Sequence, residues 1–253
     1  MKTLILAAGK GTRLRPLTTY VPKPMLPLQG KPLLEWVLLP LIEAGMKDFV
    51  LAVSYLAEQI VNYFGDGARW GVRISYSRGP EPAGKAGEIW RARELLASDE
   101  EPFLLVPGDT IAHLDYRELL NFHRVHGGPV TVAFSRRYRL EVGTGEVDEM
   151  DRVVRFREKA NLDLPVSTGA YVLDGRIFSE IETLQPEGRE VDLPAEVFPR
   201  LLAKGMPIYG YVRDYPWWDV GRMNDYDKLV GLSPAQAGEI LGGGGPDEHF
   251  QSL

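Results

Sequence analysis

Apolar residues run without a polar break through positions 4–8, 49–53 and 103–106. Short continuous runs of this kind predict strands buried on both faces, as in a parallel sheet. Between them, apolar positions recur at helical spacing over 33–44, 56–64 and 87–96. Pro40 falls inside the first of these segments and predicts a kink or a division there. Strand and helix therefore alternate, the signature of an α/β domain. Beyond Pro129 the pattern is richer in strands, at 130–134, 153–156, 166–173 and 208–212, with helical spacing returning at 195–203 and 224–230. No repeat or long linker interrupts this order, so residues 1–232 read as one catalytic-sized domain. Residues 233–253 read as a short tail, with a helix over 233–241 and a flexible glycine-rich stretch from 242.

Composition narrows the class only slightly. Of 253 residues, 44% are hydrophobic and 25% charged, as is ordinary for a water-soluble globular protein. No apolar run has the length of a membrane span, and Met1-Lys2-Thr3 leads into a strand rather than a signal-peptide pattern, so no membrane partner and a cytoplasmic location are expected. The absence of cysteine excludes disulfides, thiolate metal sites and cysteine nucleophiles. A net charge of −6 argues against a nucleic-acid partner bound through its phosphates. Small anionic ligands remain compatible, because a local basic cluster focuses field in a cleft.

Such a cluster opens the chain. The first apolar run ends in Gly9-Lys10-Gly11-Thr12-Arg13, followed by Pro22-Lys23-Pro24. Glycines permit a tight turn and close backbone approach to a ligand, leaving amide N–H groups as anion donors. Arg13 adds a phosphate-gripping fork and Lys23 a mobile point charge. A dinucleotide fingerprint fits poorly, since Leu14 stands where the third small residue belongs and Pro16 follows; a Walker A loop fails because Gly11 follows Lys10. A plain strand-to-loop turn accounts for the glycines but not for the cations. Binding of a polyanion accounts for both.

Further along, Asp109 follows the run 103–106 through Pro107-Gly108, at the strand edge where open α/β sheets bind ligands. It reads either as a ligand for phosphate-bound Mg²⁺ or as a capping or turn residue. Asp219, framed by Trp217-Trp218 and Val220-Gly221, reads as a second metal carboxylate or as a turn residue beside core aromatics. Glu158-Lys159 reads as a hydroxyl acceptor with a second phosphate contact or as a solvated charged hairpin. His123 and His126 share a helix face without a third ligand nearby. Neither a Gly-x-Ser-x-Gly elbow nor another evident nucleophile is present. A phosphate-monoester acceptor would need none, because its oxygen is already anionic.

The set Leu6-Ala7-Ala8-Gly9-Lys10-Gly11-Thr12-Arg13-Leu14, Pro16-Leu17-Thr18, Pro22-Lys23-Pro24 and Gly30-Lys31-Pro32 closely resembles the opening signature of the sugar-1-phosphate nucleotidylyltransferases. The resemblance continues in family order through residues 84–87, Pro107-Gly108-Asp109, 156–159, Thr168-Gly169, 196–199 and 217–221. It implies a Rossmann-like three-layer α/β/α fold with a mixed, mostly parallel sheet. It also implies Mg²⁺-assisted condensation of an NTP with a hexose-1-phosphate of glucose or mannose type, giving an NDP-sugar and pyrophosphate. By that resemblance Leu6, Ala8, Gly9, Gly11, Thr12, Arg13 and Gly84 contact the nucleotide, and Arg13 and Lys23 neutralise its phosphates. Asp109 and Asp219 hold Mg²⁺. Glu158, Lys159, Thr168 and Gly169 serve the sugar phosphate, with Lys159 joining Arg13, Lys23 and Asp109 in catalysis. Ala83-Gly84-Lys85-Ala86-Gly87 departs from a frequent Leu-Gly-Thr-Ala-Gly, so the base is left unnamed, and too few residues follow for a β-helix extension. A phosphorylated alcohol such as phosphocholine as acceptor, or a non-catalytic sugar-nucleotide sensor, are the competing functions, and a homo-oligomer is compatible with either.

Overall fold

A computed structural model describes residues 1–96, 101–138, 140, 142–162 and 164–241. Seven strands form its central sheet, in the order Ile208–Arg213, Val130–Ser135, Val166–Leu173, Phe103–Pro107, Lys2–Ala7, Asp48–Val53 and Arg73–Arg78. Every neighbouring pair is parallel except the two made by Val166–Leu173, which runs against both of its neighbours. This is the mixed, mostly parallel sheet expected from the resemblance.

Two-sided burial explains the unbroken apolar runs. Leu4, Val50 and Leu105 enter the core on one face of the sheet, while their neighbours Ile5, Leu51 and Leu104 enter the core on the other. On the Ile5 side the helices Leu33–Glu43, Ala57–Phe64, Tyr116–His126 and Met223–Val230 contribute Leu34, Ile60, Leu119 and Leu229. On the Leu4 side Gly84–Arg91, Arg176–Glu182 and Phe198–Ala203 contribute Ile89, Ile177 and Leu201. The layers are therefore helix, sheet, helix.

Several boundaries differ from the sequence expectation. The first helix passes through Pro40 undivided. The segment expected over 87–96 begins earlier, at Gly84, and is split into Gly84–Arg91 and Arg93–Leu96. The segment expected over 195–203 is a π-helical turn, Leu193–Val197, leading into Phe198–Ala203. Val153–Arg157 lies outside the main sheet, paired antiparallel with Thr144–Val147 in an exposed hairpin arm. The helix expected over 233–241 is Pro234–Leu241, and its Ala237, Ile240 and Leu241 belong to the core on the Ile5 side. The glycine-rich stretch expected from 242 lies outside the described residues. Among the described residues, no helix is long and apolar enough to cross a membrane.

Candidate active site

The loop after the first strand is held by its own side chains. Gly11 is left-handed, with φ +60°, and a Cβ there would come 3.0 Å from Thr18 Cγ2 and 3.1 Å from Lys23 Cβ. Thr18 Oγ1 donates to the Gly11 carbonyl at 2.8 Å, and Leu14 is fully buried beneath the turn Thr12–Leu14. Ser54 Oγ donates to the Ala8 carbonyl at 2.7 Å, fixing the loop's entry. Gly9, Thr12 and Arg13 are thereby left exposed above a rigid base. A Cβ at Gly9 would meet nothing within 4 Å, so that surface is open for a ligand. Leu6 serves as backbone: its carbonyl accepts from Gly108 N–H at 2.9 Å.

That bond brings the second element of the site to the first. Gly108 lies so close to the first strand that a Cβ would sit 2.7 Å from the Leu6 carbonyl oxygen. Asp109 follows immediately, and the strand after it, Thr110–Ala112, pairs antiparallel with Trp217–Asp219. Thr110 is the register partner of Asp219, and Val220 N–H donates to the Asp109 carbonyl at 3.1 Å. Two carboxylates far apart in sequence thus meet through a three-residue ladder.

Lys23 stands between them. Its Nζ donates to Asp109 Oδ2 at 2.5 Å and lies 4.0 Å from Asp219 Oδ1, although the residue is only 7% exposed. The Asp219 carboxyl is pushed above the usual range, chiefly by the protein crowded around it and then by the negative charge of Asp109. Lys23 and Arg13 pull the other way. The loop's arginine therefore acts on the same carboxylate as Lys23. Two hard carboxylate oxygens converging in a cleft form a donor set suited to Mg²⁺, which takes one or two carboxylates and completes its shell with water and phosphate oxygen. Among the described residues, no group of three or more His, Asp or Glu side chains is placed to enclose a metal by itself.

Gly84 opens the helix Gly84–Arg91 in a left-handed turn. Its φ is +73°, and a Cβ would lie 2.6 Å from the Val191 carbonyl oxygen. Glu88, buried below, accepts from Ala83 N–H at 2.9 Å and from Arg91, which locks the turn. Burial raises the Glu88 carboxyl, against the opposing pull of that N–H and of Arg91.

On the acceptor side the expected residues separate. Gly169, with φ +81°, sits where a Cβ would strike Pro107 Cγ at 2.7 Å. Thr168 does not turn its side chain to a cleft: its hydroxyl is buried, 3.3 Å from the Ala133 carbonyl and 3.0 Å from the Tyr215 hydroxyl. Ser167 and Gly169 instead line a cavity together with Lys85. Sequence reasoning missed Ser167; the period-2 alternation of its strand is the signal that would have placed it opposite Thr168. Glu158 and Lys159 are exposed just past the second strand of the arm, on the side away from its turn, where Glu158 Oε2 lies 2.9 Å from the position a Cβ on Gly143 would take. At its base the arm meets the carboxylate ladder, Tyr138 stacking on Trp217 with ring centroids 5.8 Å apart.

Among the described residues, the histidines have structural partners. His113 Nε2 lies 2.6 Å from the Ile240 carbonyl and its ring packs edge-on to Trp218. His123 Nδ1 lies 2.9 Å from Thr131 Oγ1, and His126 stacks on Phe122.

Comparison with known proteins identifies the family of the chain. The family model described as nucleotidyl transferase matches residues 2–230. The chain belongs to the nucleotidyl transferase family. Over 246 residues it is 34% identical to a UTP–glucose-1-phosphate uridylyltransferase of Synechocystis, an alignment covering 91% of this chain and 62% of that one. Over 244 residues it is 38% identical to a mannose-1-phosphate guanylyltransferase of Mycobacterium tuberculosis, covering 92% and 66%. The chain thus spans a little under two thirds of the length of these curated relatives. A crystal structure of a Bacillus anthracis protein assigned as a glucose-1-phosphate thymidylyltransferase matches 99% of both chains with a TM-score of 0.75. At 20% identity, that match establishes shared fold for this member of the nucleotidyl transferase family.

Proposed function

We propose that this chain carries a sugar-1-phosphate nucleotidylyltransferase, condensing an NTP with a hexose-1-phosphate to give an NDP-sugar and pyrophosphate. Residues 1–232 form its catalytic unit, and the helix Pro234–Leu241 packs into the same core. The observation that carries the reading is the meeting of Arg13, Lys23, Asp109 and Asp219 at one edge of the sheet. Family membership and the names of the curated relatives support it.

In this reading the amides around Gly9 and Gly11 receive the triphosphate, and Arg13 neutralises its charge. Lys23, already desolvated and fixed on Asp109, needs no reorganisation when phosphate charge arrives, which is the form of electrostatic assistance that enzymes use best. Gly84 supports the nucleoside end. Glu158, Lys159 and Gly169 orient the sugar phosphate, whose anionic oxygen attacks the α-phosphorus as the bond to the β-phosphate oxygen breaks. Pyrophosphate carries away the displaced electron pair. No protein base is required, since the attacking oxygen is already deprotonated. Asp109 and Asp219 would hold Mg²⁺, which when bound supplies positive charge to the triphosphate and the departing pyrophosphate.

The test is a grid of NTPs against hexose-1-phosphates with Mg²⁺, scored by pyrophosphate release. Turnover confined to particular combinations is expected, and it names base and sugar together. Silence across the grid from folded protein overturns the reading.

A further inference from the structure

A cavity of about 530 Å³ lies on the Leu4 side of the sheet. It lies between the strands Val130–Ser135, Val166–Leu173 and Ile208–Arg213 and the helix Phe198–Ala203, with Phe134, Tyr171, Phe198 and Tyr209 among its walls. Its size is in the range of small-molecule sites, about 300–1,000 Å³. Ser167 and Gly169 border it, so it adjoins the segment assigned above to the acceptor.

One cation lines this open, aromatic-walled cavity. Lys85, the second residue of the helix Gly84–Arg91, lines the cavity, and its Nζ lies 5.8 Å from the centroid of the Tyr171 ring. Among the described residues, no carboxylate forms an ion pair with it. The neighbouring basic residues are committed otherwise: Arg91 is paired with Glu88 and Arg189 with Glu196. A half-buried ammonium beside an aromatic ring and without a carboxylate partner is available to pair with an anion entering the cavity. The aromatic walls take the C–H faces of a ring while Lys85 takes its charge.

We propose that Lys85 selects acceptors bearing a second anionic group, a carboxylate or phosphate on the sugar skeleton remote from the attacking phosphate. The proposal deepens the nucleotidylyltransferase reading and rests on it for the identity of the acceptor. Calorimetry supplies a test independent of turnover. A neutral hexose-1-phosphate, a hexuronic acid 1-phosphate and a hexose 1,6-bisphosphate are titrated into the whole chain with Mg²⁺ and, in turn, each of the non-hydrolysable NTP analogues. At least one doubly anionic acceptor is expected to bind about tenfold more tightly than the neutral one, equivalent to about 1.4 kcal/mol. The carboxylate and phosphate arms identify which group is preferred. Lys85→Gln should bring the ratio near one, and Lys85→Arg should restore part of it, with thermal melts confirming that both variants fold. Equal or weaker binding of both doubly anionic acceptors, or a preference unchanged in Lys85→Gln, overturns the proposal. Binding that follows the prediction without pyrophosphate release from any acceptor overturns the catalytic reading and leaves the Lys85 assignment standing.

Discussion

Asp219 is a carboxylate whose surroundings oppose its ionisation. Its carboxyl is raised above its ordinary 3.8, so between that value and its folded-state value the folded protein binds more protons than the unfolded chain. Stability therefore falls as pH rises through this window, and at neutral pH the ionised group is a net cost that a bound cation would relieve. Asp219→Asn should melt no lower than the parent at pH 7 while turnover drops on the order of 100-fold; a melting point several degrees lower would contradict this account. The glycines divide in the same manner. Gly9→Ala should leave the melting temperature unchanged, because a Cβ there meets nothing within 4 Å, yet raise KM for the NTP roughly tenfold by obstructing the ligand. Gly108→Ala should lose about 1–3 kcal/mol in denaturant unfolding, since its Cβ is driven to 2.7 Å from the Leu6 carbonyl oxygen. Equal melting temperatures for the two variants would reject the distinction.

At the scale of elements, Thr110–Ala112 and Trp217–Asp219 do the positioning, and the helix Pro234–Leu241 braces them through His113. Burial lowers the His113 pKa from its ordinary 6.5, with the Ile240 carbonyl pulling the other way. The unfolded chain then takes up the proton first, so the histidine's contribution is complete above about pH 6.5 and declines as pH falls below it. Burial lowers His123 too, so both act in this direction. His113→Ala should cost about 1–3 kcal/mol at pH 7 by leaving the Ile240 carbonyl unpaired. It should also flatten the fall in melting temperature between pH 7 and 5.5; an unchanged slope would assign that fall to His123. This ladder was not legible from periodicity, because three-residue strands carry none; the pairing of Asp109 with Asp219 came from the family resemblance, and the register of the ladder from the fold. The long buried strands were legible, because two-sided burial writes itself as unbroken apolar runs. Arg73–Arg78 was not, being an edge strand of alternating exposure. The start of the Gly84 helix was missed for a third reason, since Val191 and Glu88 hold that turn through contacts beyond local propensity.

Across the whole molecule, the reversed strand Val166–Leu173 is what joins the two halves of the cleft. Six strands run one way and end at the edge that carries Ala7, Val53, Pro107 and Ser135, whereas Val166–Leu173 begins at that edge. Ser167 and Gly169 therefore arrive beside Pro107 at the start of their strand, while Asp109 leaves from the end of the neighbouring one. A ligand spanning this edge would tie together segments from residues 9–25, 83–88, 107–110, 167–169 and 217–220. Such a ligand binds the folded chain alone and stabilises it by about 2.7 kcal/mol at 100 times its Kd. For a domain of this size that corresponds to a rise in melting temperature of roughly 5–10 °C. The full shift should require both the NTP and Mg²⁺, since Asp109 and Asp219 are the proposed ligands of the cation. In Asp109→Asn the Mg²⁺-dependent part should disappear while the part due to NTP alone, carried by Arg13, Lys23 and the loop amides, persists. An unchanged Mg²⁺ increment in that variant would remove Asp109 from the metal site, and loss of both increments would place the nucleotide, rather than the metal, on Asp109.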